Sequence, residues 1–166
     1  MDERSVRTDE DIEETIHSYA DMLYRICITM LKNPHDAEDV VQETFIGYYQ
    51  NNRSFDSDEH KKAWLITVAV NKCKNLIGFF KRHDHISIDD IQEFAGVCCD
   101  DEERGLLEEL MKLPPKQRIV IELYYVEEYK IKEIADMLAV KEPAVKMRLQ
   151  KGRSILKEIY REEYAT

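Results

Sequence analysis

The sequence has 166 residues, and its 34 acidic and 24 basic side chains give it a net charge of −10, which is unusual for a dedicated DNA-binding domain. Its five glycines, four prolines and few alternating runs predict an all-α protein without β-sheets, and no apolar run approaches the ~18 residues needed to span a bilayer, so we expect no membrane insertion. The four cysteines lack disulfide or metal-ligand spacing, which fits a protein of the reducing cytoplasm.

The charge alternates along the chain in four blocks. Residues 1–60 hold 15 acidic and 5 basic side chains, whereas residues 61–83 hold 6 basic side chains and no acidic one. Residues 84–110 hold 10 acidic and 1 basic, and residues 111–166 hold 12 basic and 9 acidic. Two basic blocks suggest two nucleic-acid contacts, and the acidic blocks suggest a surface that binds a protein partner or stays off DNA.

The first half of the sequence predicts three amphipathic helices. In the first, apolar residues recur in steps of three and four from Ile12 to Met30, and Asn33-Pro34 ends it. The second, DAEDVVQETFIGYY, presents four polar side chains to solvent: Asp36, Asp39, Gln42 and Glu43. After a turn-rich loop at residues 51–58, a third helix, from about residue 59 to residue 81, carries lysines outside its apolar stripe.

The second half begins with a change of character. Residues 84–105 are acidic and lack helical periodicity, so they are interpreted as a linker between two small helical domains, residues 1–83 and residues 106–166. A short helix is predicted for residues 106–113. Pro114-Pro115 then interrupts the chain, and a further helix starts at about Lys116.

Residues 131–156, IKEIADMLAVKEPAVKMRLQKGRSIL, predict a helix-turn-helix. The apolar pairs Ile134/Leu138 and Val145/Leu149 have helical spacing, and three residues, 139–141, connect the two helices. The second helix carries basic side chains outside its stripe: Lys146, Arg148, Lys151 and Arg153. Such a helix can enter the major groove of DNA and contact phosphates along its flank. The alternative is a solvated amphipathic hairpin.

Two further features suggest chemistry but match no established pattern. His83, His85, Cys98 and Cys99 are candidates for a zinc site, and the adjacent cysteines for a redox switch. Their spacing fits no structural zinc site, so we expect no metal and no cofactor. No glycine-rich phosphate loop, nucleophile elbow or histidine–carboxylate pair occurs at catalytic spacing, so we expect no catalytic residue.

Three sequence blocks occur in this order: DAEDVVQETF, AWLITVAVN, and LPPKQR followed by the helix-turn-helix. Together they resemble sigma factors of the extracytoplasmic-function (ECF) type, which keep only regions 2 and 4 of larger sigma factors. The resemblance covers most of residues 19–157. It implies a transcription initiation factor that binds core RNA polymerase and promoter DNA, acts on no small-molecule substrate and leaves catalysis to the polymerase. Many such factors are also inhibited by an anti-sigma factor, so this is a further partner to consider.

The resemblance also assigns contacts to individual residues. The clamp helices of the large catalytic polymerase subunit would meet Asp36, Asp39, Gln42 and Glu43. The single-stranded promoter −10 element would be held by the third helix and the loop before it, through Phe55, Asn71, Lys72, Lys74, Asn75, Lys81 and Arg82. The −35 duplex would be read by the second helix of the helix-turn-helix, through Ala144, Lys146, Met147, Arg148, Gln150 and Lys151.

Several interpretations stay open at this point. Met147 stands where relatives usually carry a small hydroxyl residue, which suggests a different −35 sequence. Trp64 is a candidate for base stacking, although its spacing with Val68 favours core packing. Two other functional classes compete with the sigma factor: an autonomous helix-turn-helix regulator, which would bind duplex DNA without polymerase, and a helical protein that sequesters another factor.

Overall fold

A computed structural model describes the backbone of residues 7–83 and 101–164, and the side chains of these ranges except 79–83, 103 and 164. The regular elements of these ranges are helices, and neither range contains a strand, so the all-α prediction is confirmed. Internal contacts group the chain into two compact units, Met1–Cys98 and Cys99–Thr166. The side chains of Lys81, Arg82, His83, His85, Cys98 and Cys99 and residues 84–100 of the expected linker lie outside the described residues.

The N-terminal unit is built on three long helices that pack against one another: α1 (Asp9–Leu31), α2 (Pro34–Gln50) and α3 (Asp58–His83). Each contributes fully buried apolar side chains, among them Leu23 and Ile26 of α1, Tyr48 of α2 and Leu65 of α3. Burial at helical spacing therefore accounts for the packing of these amphipathic segments.

Local sequence determines where the first two helices begin. The Thr8 hydroxyl accepts a hydrogen bond from the Asp11 N–H at 3.1 Å, and the Asn33 carboxamide oxygen accepts one from the Asp36 N–H at 3.0 Å. Both are N-cap contacts, which satisfy amide groups that the helix itself leaves unpaired. Pro34 occupies the first turn of α2, so this helix begins two residues before the predicted start at Asp36.

The C-terminal unit contains α4 (Asp101–Met111), α5 (Pro115–Ile121), the π-helix Glu122–Val126, α6 (Ile131–Leu138) and α7 (Glu142–Tyr164). Helix α4 begins five residues before the predicted start at Leu106, so residues 101–105 of the expected linker are helical. Its first three residues, 101–103, are acidic and suit the positive N-terminal end of a helix, a signal that the lack of apolar periodicity concealed. The π-helix was not foreseen from the sequence.

Arg118 anchors α5 to the end of α4. Its side chain has an exposed fraction of 0%, and it donates hydrogen bonds to the carbonyls of Leu110 (3.2 Å) and Leu113 (2.7 Å). The Leu110 carbonyl lies in the last turn of α4, where it also accepts from the Leu113 N–H at 3.0 Å, and Leu113 lies two residues beyond the end of that helix. Burial lowers the pKa of Arg118 to about 10, and the carboxylate of buried Glu122 opposes that effect.

The helix-turn-helix has the predicted connection. Helix α6 ends at Leu138 and α7 begins at Glu142, and Ala139 adopts a left-handed conformation with φ 55°. Gly152 lets α7 pass close to α5, because a Cβ atom there would lie 2.9 Å from Cγ1 of Ile121. The packing of α7 on α5 and α6 holds one face of α7 against the unit and leaves the opposite face in solvent.

Candidate functional site

The solvent face of α2 carries the four side chains that the sequence predicted to be exposed. Asp39, Gln42 and Glu43 are exposed, whereas Asp36 is half-buried. Burial raises the pKa of Asp36; nearby His35 lowers it and Asp39 raises it, and the net shift is upward. Nε2 of His35 lies 3.8 Å from Oδ2 of Asp39. The face is therefore acidic and lies close to the start of the helix.

Two apolar side chains continue this face toward the end of α2, and the sequence interpretation missed them. Ile46 and Tyr49 are 54% and 49% exposed. They follow Asp39 and Gln42 by seven residues, two helical turns, so they project from the same side of the helix. That spacing was the available signal. Acidic residues beside exposed apolar ones make a surface suited to a protein partner.

Helix α3 presents two asparagines to solvent and keeps two lysines partly covered. Asn71 and Asn75 are exposed and one turn apart, while Lys72 and Lys74 are half-buried. The ammonium group of Lys72 lies 3.6 Å from a carboxylate oxygen of Glu43 on α2. The structure thus brings together a predicted nucleic-acid residue and a predicted protein-contact residue.

Phe55 lies in a cluster of aromatic rings at the start of α3. Its ring centroid is 5.6 Å from that of Trp64, 5.3 Å from that of His60 and 6.2 Å from that of Tyr48. Both Phe55 and Trp64 are half-buried. Neither ring projects freely into solvent, and Trp64 packs within the unit, in line with the core-packing alternative.

Helix α7 divides cleanly into a buried and an exposed side. Val145, Leu149 and Gly152 are buried. The candidate residues avoid that side: Lys146, Met147, Gln150 and Lys151 are exposed, and Ala144 and Arg148 are half-buried. Met147, at 70% exposed, lies almost opposite the buried residues. An exposed thioether flanked by cationic and carboxamide groups offers both apolar and hydrogen-bonding contacts to base edges.

Arg153 of α7 is held by tyrosines of the π-helix. Its Nε donates to the Tyr125 hydroxyl at 2.5 Å, and its guanidinium lies 5.7 Å from the Tyr124 ring centroid. This basic residue is exposed, yet it is oriented by aromatic neighbours. Among the described residues, no group of three or more His, Cys, Asp and Glu side chains could hold a metal ion, and no helix is both long and apolar enough to cross a membrane.

Two family models match the two units. The model described as "Sigma-70 region 2" matches residues 15–83, and the model described as "Sigma-70, region 4" matches residues 103–156. Together the matched segments make up well over half of the chain. The first includes most of α1 and all of α2 and α3, and the second includes the helix-turn-helix.

Curated relatives and solved structures agree with these matches. The chain is 30% identical to the ECF RNA polymerase sigma factor SigW of Bacillus subtilis, over 90% of this chain and 88% of the relative. It is also 30% identical to SigM of Bacillus subtilis, over 90% and 94%. Its fold is similar to that of the sigma factor RpoE of Bartonella quintana, solved with the anti-sigma factor NepR, with a TM-score of 0.74, 20% identity and coverage of 92% and 98%.

Proposed function

We propose, from the premise that this chain belongs to the ECF sigma factors of the sigma-70 family, that it uses three separate surfaces to direct RNA polymerase to its promoters. A sigma factor is a transcription initiation factor that confers promoter specificity. Here the α2 face would bind the polymerase, α3 and its preceding loop would hold the −10 strand, and α7 would read the −35 duplex.

The polymerase contact is assigned to the α2 face, defined as Asp36, Asp39, Gln42 and Glu43 with Ile46 and Tyr49. Its acidic members would steer association with basic residues of the clamp helices. Ile46 and Tyr49 would supply apolar area that is removed from water on docking, which is the main source of affinity in protein interfaces. Their exposure in the free chain supports this assignment.

The −10 contact is assigned to α3 and to the loop at residues 51–57. Holding single-stranded DNA requires cations along the backbone and polar or aromatic groups around an unstacked base. Lys72 and Lys74 would supply cations, Asn71 and Asn75 would supply carboxamides, and Phe55 lies in the loop before α3. Lys81 and Arg82 complete the set by their sequence positions.

The −35 contact is assigned to α7, and its exposed side is the single observation that carries the proposal. Lys146, Met147, Gln150 and Lys151 are all exposed, whereas Val145 and Leu149, on the other side of the helix, are buried. Lysine can donate to guanine O6 and N7, and glutamine can pair with adenine. Arg148 and Ala144, at the edge of that side, would lie near phosphates.

The chain would have the two domains expected from the sequence, residues 1–83 and 106–166, with residues 101–105 added to the second domain because they begin α4. The chain acts in the cytoplasm, where RNA polymerase works, and performs no catalysis itself. Since a protein of this fold was solved with an anti-sigma factor, we include an anti-sigma factor among the partners, with the α2 face as the surface it would cover.

Run-off transcription with the full chain and core RNA polymerase of Bacillus subtilis, on a pool of promoter fragments, tests the proposal. We expect new start sites that depend on the chain. Lys146→Glu should abolish them without preventing polymerase binding, whereas Lys157→Glu, the same charge change further along α7, should preserve them. Initiation by Lys146→Glu equal to that of the unaltered chain would contradict the −35 assignment.

The α2 face is tested by polymerase binding alone. Asp39→Lys with Glu43→Lys should weaken binding, and the matched control is Glu10→Lys with Glu14→Lys, two exposed acids with the same spacing on α1. Equal loss in both pairs would show a general charge effect and not a docking face. Duplex binding by the chain alone, without any initiation, would favour the autonomous regulator.

A further inference from the structure

Arg7, which immediately precedes the N-cap of α1, reaches a distant part of the chain. Its Nε donates to the Tyr48 carbonyl at 2.8 Å, and its Nη2 donates to the Arg53 carbonyl at 2.6 Å. The first acceptor lies in the last turn of α2 and the second lies in the loop between α2 and α3. One guanidinium therefore joins the end of a helix to the loop that follows it.

The guanidinium is also packed between rings and a carboxylate. Its central carbon lies 3.9 Å from the centroid of the Tyr48 ring and 5.5 Å from that of the Phe55 ring, and its Nη1 lies 3.9 Å from Oδ2 of Asp11. The Arg7 side chain is only 13% exposed. A stacked guanidinium on a largely buried side chain is an oriented group and not a solvated surface charge.

A second set of contacts fixes the ring on which Arg7 stacks. The Tyr48 hydroxyl donates to Asp11 at 2.7 Å, and the Lys61 ammonium lies 3.5 Å from the other Asp11 oxygen. Burial would raise the pKa of Asp11, but the Tyr48 hydrogen bond and the positive charge of Lys61 outweigh it and lower that pKa. Asp11 is thus held ionised between Tyr48, Lys61 and Arg7.

These contacts surround an open pocket next to the loop. Its volume is about 410 Å³, and Arg7, Tyr48, Phe55 and Lys61 are among the residues that line it. Within the loop, the Arg53 N–H donates to the side chain of Asn51 at 2.7 Å. The Arg53 carbonyl, in contrast, is tied to the rest of the unit through Arg7.

We propose that Arg7 is a positioning residue for capture of the −10 strand, which it serves by clamping the loop at residues 51–57 through the Tyr48 and Arg53 carbonyls. This inference rests on the proposed −10 role of that loop. A planar fork that donates to two carbonyls at once fixes the loop relative to α2, and a loop ordered before binding loses less entropy when it encloses a base. Arg7 acts on the loop and need not touch the DNA.

Lysine is the informative replacement at this position. It preserves the positive charge, so it would preserve any attraction to phosphate, but a single ammonium group cannot reproduce the planar fork of arginine. The clamp therefore predicts that Arg7→Lys resembles Arg7→Ala. A purely electrostatic role predicts that Arg7→Lys resembles the unaltered chain.

The test measures binding of the complete holoenzyme to single-stranded non-template oligonucleotides of the −10 element, in which each position in turn is made abasic. With the unaltered chain, loss of the captured base should lower affinity by roughly tenfold, in the range of one base-stacking contact. Arg7→Ala and Arg7→Lys should bind the intact oligonucleotide roughly tenfold more weakly. When the captured base is removed as well, these variants should lose little further affinity, because they no longer hold that base. Arg161→Ala, in an exposed part of α7, is the matched control and should bind like the unaltered chain.

The outcomes separate a positioning role of Arg7 from an independent effect, and both from failure of the proposed loop contact. Losses from Arg7→Ala and from the abasic site that multiply would show independent effects and overturn the inference, as would unaltered binding by Arg7→Lys. An abasic scan without effect on the unaltered chain would instead remove the proposed role of the loop, and the inference with it. Fluorescence of Trp64, which lies against Phe55, reports whether each variant remains folded; general unfolding would weaken binding to every oligonucleotide alike.

Discussion

The exposed faces of α2 and α7 are built alike but carry opposite charge. Each places apolar side chains within a polar surface: Ile46 and Tyr49 on α2, and Met147 on α7. Around the first pair lie carboxylates, and around Met147 lie lysines and a glutamine. We therefore expect the α2 face to meet a basic protein surface and the exposed side of α7 to meet DNA, because the charge around each apolar group is opposite in sign to that of its proposed partner.

The two helices also differ in how they are held. Helix α2 packs against both α1 and α3, whereas α7 packs against α5 and α6. Helix α5 in turn is tied to α4 through the buried side chain of Arg118. The support of α7 therefore includes one buried cation, Arg118, whereas α2 is held by apolar packing from two long helices.

The largest effect is expected from Arg118→Ala, which should destabilise the C-terminal unit by about 3–5 kcal/mol, because it leaves a carboxylate and two carbonyls buried without their cationic partner. The N-terminal unit should keep its stability and its binding to polymerase. Denaturation followed by circular dichroism reports both units, whereas fluorescence of Trp64, the single tryptophan of the sequence, reports the N-terminal unit.

Arg104→Ala is the matched control, since that arginine of α4 is exposed and should contribute little. An early transition that appears only in circular dichroism would show that Arg118 stabilises the unit that carries α7 and not the unit that carries α2. Equal shifts of both signals in Arg118→Ala would contradict it, because they would show that the two helices share one cooperative unit.

A smaller effect is expected from Met147. If its thioether packs on a thymine methyl group, replacing that thymine by uracil should weaken −35 binding by about fourfold, the equivalent of one buried methyl group at ~0.8 kcal/mol. Met147→Ala should remove the preference for thymine over uracil, and Met147→Leu should retain it. The measurement is holoenzyme affinity for −35 duplexes with uracil at each thymine position in turn.

A uniform loss of affinity in Met147→Ala, with the preference for thymine intact, would contradict a methyl contact. It would mean that Met147 supports binding through its own unit and makes no apolar contact with a thymine of the −35 DNA.

The parts that sequence could predict are those governed by local periodicity. Apolar spacing identified the amphipathic helices and the exposed acids of α2, and Asn33-Pro34 marked the break between α1 and α2. The three-residue connection of the helix-turn-helix followed from Leu138 and Val145 lying on separate stripes. These features depend on neighbours within a few residues.

The parts that could not be predicted depend on residues far apart in sequence. Arg118 looks like a surface base in LPPKQR, and only the ends of α4 and α5 together show why it is buried. Arg7 contacts carbonyls 41 and 46 residues away. The early start of α4 was hidden because its first turn is polar. The residue contacts assigned to polymerase and DNA stay predictions.

The smallest effect concerns Glu43 and Lys72, where the α2 face meets α3. Their 3.6 Å ion pair is partly exposed, so its coupling free energy should be below about 1 kcal/mol and should decline as salt rises. A double-mutant cycle of Glu43→Gln and Lys72→Gln, followed by Trp64 fluorescence during denaturation, measures that coupling. Asp39→Asn with Lys72→Gln is the control cycle, because Asp39 lies beside His35 instead, and it should give no coupling.

Coupling in the first cycle alone would mean that an acid of the α2 face partly neutralises a cation of α3 in the free chain, so that a partner engaging Glu43 would leave Lys72 more available to DNA. Equal coupling in both cycles would reduce the effect to the general field of the acidic face, and the two surfaces would then act independently.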